Sequence, residues 1–175
     1  MTERKGAVTF QGQPFALVGE ELKVGDQAPD AALIANDMTE AKLSEYRGKV
    51  LILAAVPSLD TDVCDAEARR FNESAAQLGD DVAIVVVSMD LPFAQKRWCG
   101  AAGVDAVRTL SDHRDAAFGE AYGVLIREFR LLARTVFVVD REGTIRYTQL
   151  VGEITDEPDY DEVLGAARAA MRGGA

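Results

Sequence analysis

The apolar positions along the chain follow two periods. Residues 7–19, AVTFQGQPFALVG, alternate apolar and polar side chains around a turn-like QGQP. That alternation predicts a β-hairpin with Gly12 and Pro14 in its loop. LKVGDQAPD (22–30) reads as a polar connector. KVLILAAV (49–56) and VAIVVVSM (82–89) are continuous apolar runs of strand length, the pattern of strands covered on both faces. Between them Cys64, Ala68, Phe71, Ala75 and Leu78 recur at helical spacing, which predicts a helix over 64–78 with one inward stripe. Gly79 and the two aspartates after it stop that helix. Pro92 suits the first turn of a second helix, near Phe93–Ala101. A short strand follows at 108–110 and a helix near 115–122. RTVFVVD (134–140) and TIRYTQLV (144–151) flank the turn Arg141-Glu142-Gly143 as a hairpin. DYDEVLGAARAAMR (159–172) closes the chain as an amphipathic helix.

Two buried strands joined by a helix imply a parallel pair with a right-handed crossover. The late hairpin adds antiparallel strands. The predicted fold is therefore α/β, a mixed central sheet with helices on both faces, which is the thioredoxin-like arrangement. It carries an N-terminal β-hairpin extension over residues 1–19. No linker divides the sequence, so residues 1–175 are expected to form one domain. In such sheets, sites gather at the carboxyl ends of strands, and Cys64 directly follows the first buried strand.

Composition narrows the function. The chain has 19 Lys and Arg against 29 Asp and Glu, a net charge of −10. That argues against nucleic acid or an anionic membrane surface as partner. No stretch reaches the roughly 18 apolar residues of a membrane span. The first residues hold no apolar run of signal-peptide length, so a cytoplasmic location is expected. With 48% hydrophobic residues, the chain is expected to fold without metals or disulfides. A single histidine, His113, makes a Cys–His catalytic pair or a Cys/His metal site difficult to build. There is no phosphate-binding loop and no dinucleotide fingerprint.

Candidate chemistry centres on PSLDTDVC, residues 57–64. Thr61 as N-cap puts Cys64 at the third helical position, near free N–H groups and the positive end of the helix dipole. A thiol in such a place ionises more readily. Pro57 fixes the backbone where strand becomes loop. Asp60, Asp62, Asp65 and Glu67 crowd the cysteine, and they are expected to form a solvated rim. A cation is still required. Arg69 and Arg70 share the helix, and Arg134 opens a strongly apolar strand, where it needs a partner if buried. Cys99, in KRWCGAAG, is not part of a CxxC pair. It could bridge to Cys64 only if the Cα atoms approach to about 6 Å. Trp98 reads as core packing. At this stage inert buried thiols and a reactive pair both stand.

The segments PSLDTDVCDAEARRFNE, RWCGAAGV, TLSDHRDAAFGEAYGV and LLARTVFVVDREG, in this order, resemble the bacterial thiol peroxidases, atypical two-cysteine peroxiredoxins. The resemblance spans nearly the whole chain. It implies a peroxidatic cysteine at Cys64, with Thr61 orienting thiolate and peroxide. It further implies that Arg134 polarises the peroxide, that Pro57 shields the pocket and that Cys99 resolves the oxidised cysteine as an intramolecular disulfide. Hydrogen peroxide and alkyl hydroperoxides are the implied substrates, thioredoxin or a similar dithiol the implied reductant, and a homodimer the implied assembly. No cofactor or metal is implied. Asp62 and His113 depart from the residues most often found at those positions. The same cysteines would also serve a redox sensor that oxidises once to signal. Sustained turnover separates the two readings.

Overall fold

A computed structural model describes residues 1–173; residues 174–175 of the expected domain lie outside the described residues. The chain begins with the predicted hairpin, β1 (Glu3–Phe10) and β2 (Gln13–Val18). Its turn is Gln11-Gly12, with φ of 49° and 81°, the left-handed conformation whose twist suits a two-residue hairpin. Pro14 lies outside the loop, inside β2 opposite Thr9. On its other side β2 pairs only through Leu17 and Val18, so Pro14 has no ladder there to interrupt.

Two short strands absent from the prediction follow, β3 (Ala32–Ile34) and β4 (Glu40–Lys42). Then come β5 (Val50–Ala55), α1 (Asp62–Leu78), β6 (Val82–Ser88), α2 (Pro92–Ala102) and β7 (Arg108–Ser111). Helix α3 (Ala117–Ala121) is shorter than its predicted span, because Ala116 before it takes a left-handed φ of 52°. Strands β8 (Leu125–Ile126) and β9 (Leu131–Leu132) are also new. The expected hairpin β10 (Thr135–Val139) and β11 (Ile145–Leu150) leads to α4 (Tyr160–Gly173).

Seven strands form the main sheet, in the order β11-β10-β5-β6-β7-β3-β4. β5, β6 and β7 run parallel, and β10 joins β5 antiparallel. The all-apolar runs are explained by their two faces. Leu51, Leu53, Ala55, Val85 and Val87 point into one core with residues of the hairpin and α3. Val50, Ile52, Ala54, Ile84 and Val86 point into the other, under α1 and α4. A four-stranded sheet, β1-β2-β8-β9, contributes Val8, Leu17, Leu125, Ile126 and Leu132 to the first core. α1 and α2 start from the carboxyl ends of adjacent parallel strands. The fold thus opens both cysteine-bearing helices at the same edge of the sheet.

Candidate active site

Strand β5 ends at Ala55, and the chain turns through buried Pro57 into the 57–61 loop. Asp90, two residues beyond β6, anchors this loop. Its carboxylate accepts from Ser58 Oγ at 2.7 Å and from the Leu59 amide at 2.8 Å. Thr61 is the N-cap of α1, as its sequence position predicts. Its hydroxyl accepts from the Cys64 amide at 3.4 Å and donates to the Ser58 carbonyl at 2.9 Å. The two bonds tie loop and helix start together. Cys64 occupies the third helical position, with no exposed surface.

Arg134 stands directly before β10, buried to 1% exposure. Each of its three nitrogens has a target. Nε and Nη2 both donate to the Ile154 carbonyl, at 3.1 and 2.9 Å. Nη1 donates to Glu67 Oε2 at 2.7 Å, and Nη2 also reaches Cys64 Sγ at 3.3 Å. The structure therefore brings Thr61, Cys64 and Arg134 together, while Pro57 is buried at the start of the loop that leads to them. Burial works against the guanidinium's charge, but Glu67 and Cys64 outweigh it and hold Arg134 above its ordinary value.

The expected acidic rim is half right. Asp60 and Asp62 are exposed, and Asp62 sits in the first turn, where negative charge suits the helix dipole. Glu67 is not on any rim. It has no exposed surface and pairs with Arg134 beside Cys64. The reason is helical geometry: residue 67 lies one turn beyond Cys64, on the same inward face. Burial pushes the Glu67 carboxyl up to about 7, against the pull of Arg134. One oxygen meets the guanidinium; the other, Oε1, has no protein partner.

Cys99 lies on α2, half-buried, and both cysteines are free thiols. Its sulfur is 3.4 Å from the Thr109 hydroxyl, which donates in turn to Asn36 at 3.0 Å. Cys64 and Cys99 are therefore separate centres in this state. Side chains of α1 bind α2 and the loop after it. Trp98 packs against the second core and donates its indole N–H to Asp65 at 2.7 Å. Arg69 pairs with the same Asp65, lies 6.0 Å from the indole centroid and reaches the Ala102 carbonyl. Asn72 accepts from the Ala106 amide at 2.9 Å. Arg69 is thus spent on this contact, Arg70 lies over the Tyr160 ring at 4.8 Å, and Arg134 is the cation that reaches Cys64.

Two participants escaped the sequence reading. Glu67 carried a signal, a charged residue at an inward register of an amphipathic helix. The Ile154 carbonyl carried none, since any residue supplies one. Among the described residues, no group of three or more His, Cys, Asp and Glu side chains is placed to hold a metal ion.

The chain matches the family described as Redoxin over residues 23–164. It is similar to the thiol peroxidase of Bacillus subtilis, 55% identical over 165 residues that cover 94% of this chain and 98% of that protein. The thiol peroxidase of Oceanobacillus iheyensis is 54% identical over 157 residues, 90% of this chain and 95% of that one. Among solved structures, a peroxiredoxin-like protein from Aquifex aeolicus superposes with a TM-score of 0.89 at 45% identity, covering 94% of this chain and 97% of that chain. The mixed sheet flanked by helices is the thioredoxin-like fold of these neighbours.

Proposed function

The chain belongs to the redoxin family, its thiol peroxidase relatives support a thiol-dependent peroxidase activity, and we propose that this activity runs through Cys64 as nucleophile. The observation that carries this reading is the guanidinium of Arg134, 3.3 Å from Cys64 Sγ and fixed on its other sides by Ile154 and Glu67. A cation held in a dry site favours negative charge at sulfur and, during reaction, on the departing oxygen. The helix N-terminus adds free N–H groups.

The thiolate attacks one oxygen of a hydroperoxide. The S–O bond forms as the O–O bond breaks, and the other oxygen leaves as alkoxide or hydroxide and takes a proton. Cys64 becomes a sulfenic acid. Thr61 and Arg134 orient sulfur and peroxide; Pro57 closes the pocket. Since Cys64 is fully buried, peroxide enters when the 57–61 loop yields. The Cys99 thiol then attacks the sulfenic sulfur, releasing water and forming a disulfide. This step needs local unwinding, because each cysteine has its own partners in the reduced state. A dithiol of the thioredoxin kind restores both thiols by exchange. Hydrogen peroxide and alkyl hydroperoxides are the proposed substrates, and a homodimer the proposed assembly.

The test follows peroxide consumption in the presence of thioredoxin, thioredoxin reductase and NADPH. Cys64→Ser is expected to lose turnover by about 10³-fold or more. Cys99→Ser is expected to react once with peroxide and then stop. An unimpaired Cys64→Ser enzyme would sink the proposal.

A further inference from the structure

The N-terminal hairpin looks remote from Cys64 in sequence, yet its turn is held by a carboxylate that also binds the peptide whose carbonyl holds Arg134. Glu153 Oε1 accepts from the Gly12 amide and the Thr9 hydroxyl, both at 3.0 Å, and Oε2 accepts from the Gln11 amide at 3.2 Å. Backbone bonds run alongside, from the Thr9 amide to the Gly152 carbonyl at 2.7 Å and from the Ile154 amide to the Thr9 carbonyl at 2.8 Å. On its other side, Glu153 Oε2 accepts from the Thr155 amide at 3.1 Å and the Thr155 hydroxyl at 2.9 Å.

The Thr155 amide belongs to the same peptide plane as the Ile154 carbonyl. In a planar trans peptide the N–H and C=O point in opposite directions, so fixing one aims the other. That carbonyl is the one that accepts both Nε and Nη2 of Arg134, and Nη2 is the nitrogen on Cys64 Sγ. A carboxylate on the N–H also polarises the carbonyl and strengthens its hold on the guanidinium.

We propose that Glu153 is a positioning residue for Arg134: it clamps the β1–β2 turn onto the Ile154–Thr155 peptide and thereby holds Nη2 against the Cys64 sulfur. The proposal rests on the reading of Cys64 and Arg134 given above. The Gly12 amide, followed by that of Thr155, holds the Glu153 carboxyl down at about 2. The clamp is therefore charged at any working pH. The hairpin becomes a brace of the active site as well as a cover for one core.

Glu153→Gln is the test. It keeps one acceptor oxygen and turns an N–H₂ toward donors. The rate at which peroxide consumes the Cys64 thiol is expected to fall roughly ten-fold, the scale of a small misplacement at a reacting centre. The rate at which a small dithiol reduces the oxidised protein is expected to stay at the parent value. In an Arg134→Lys background the same substitution should cost less than about two-fold, because the group it positions is already gone. Thr9→Val, which removes a single bond of the clamp, is expected to slow the peroxide step about two-fold and keeps the test open if Glu153→Gln does not fold. Parental peroxide rates in these variants, or equal losses with and without Arg134, would overturn the inference. If Cys64→Ser is inactive at the same time, the peroxidase reading survives that failure; an active Cys64→Ser removes the reading itself.

Discussion

Cys64 sits in the first turn of α1 with no exposed surface, its sulfur on a guanidinium and its amide on a capping hydroxyl. Cys99 sits in the second half of α2, half-buried, its sulfur facing one neutral hydroxyl. Nothing in the residue type separates them. The surroundings do: fixed positive charge and helix-terminal N–H groups around the first, a single weak partner at the second. The helices differ as well. α1 runs on for 17 residues, while α2 has 11 and turns left-handed at Gly103, whose amide bonds the Cys99 carbonyl. The second cysteine stands one turn from a helix end. In the proposed cycle, attack falls to the cysteine with the field and approach to the one on the shorter helix.

Arg134→Lys strikes the comparison hardest. Lysine keeps the charge but cannot serve Ile154, Glu67 and sulfur together from a planar fork. Reaction of Cys64 with peroxide is expected to slow about 100-fold, the cost typical of removing one preorganised donor. Alkylation of Cys99 by a small reagent should be unchanged. Stopped-flow thiol loss measures the first, mass spectrometry the second; a parental peroxide rate would erase the difference between the cysteines.

Glu67→Gln sharpens the electrostatic half of the contrast. The folded state raises this carboxyl from its ordinary 4.5 to about 7, so it binds the proton more tightly than the unfolded chain does. The stability it contributes is full below the unfolded value and is lost as pH rises through the folded one, by up to about 3 kcal/mol. Between those limits, melting temperatures of the glutamine variant are expected to fall less with pH than those of the parent. Identical slopes would show that the pair does not titrate there.

The smallest effect concerns the link between the helices. Trp98→Phe removes the indole bond to Asp65 while keeping most of the packing. A loss of about 1–2 kcal/mol is expected from thermal melts. After one equivalent of peroxide, disulfide closure should be a few-fold faster, because less holds α1 against α2. Mobility on a non-reducing gel reads this directly, and an unchanged closure rate would mean the Trp98–Asp65 bond does not restrain the approach.

Long elements were legible because their periods repeat. β5, β6 and α1 each carry enough residues for the pattern to identify them. β3, β4, β8 and β9 have three residues or two, too few to display alternation, and their existence depends on neighbours far along the chain. At the site, Thr61 and Cys64 were legible through cap chemistry, and Arg134 through the cost of a charge beside an apolar strand. Glu67 was misread because its sequence neighbours are surface acids. Its register on α1 said inward, and its partner lies 67 positions away. Ile154 acts through its backbone, which no residue type announces.

The unpartnered oxygen of Glu67 has a consequence for charge balance over the cycle. Arg134 brings one positive charge into a space with almost no exposure. In the proposed cycle a Cys64 thiolate balances that charge, and the Glu67 carboxyl, raised to about 7 by burial, is available to hold a proton. In that cycle the negative charge disappears when sulfur is oxidised or leaves to meet Cys99. Glu67 can then release the proton and balance the guanidinium alone. The proposed cycle would leave the buried core electrically neutral in both states, with no ion stranded in the interior.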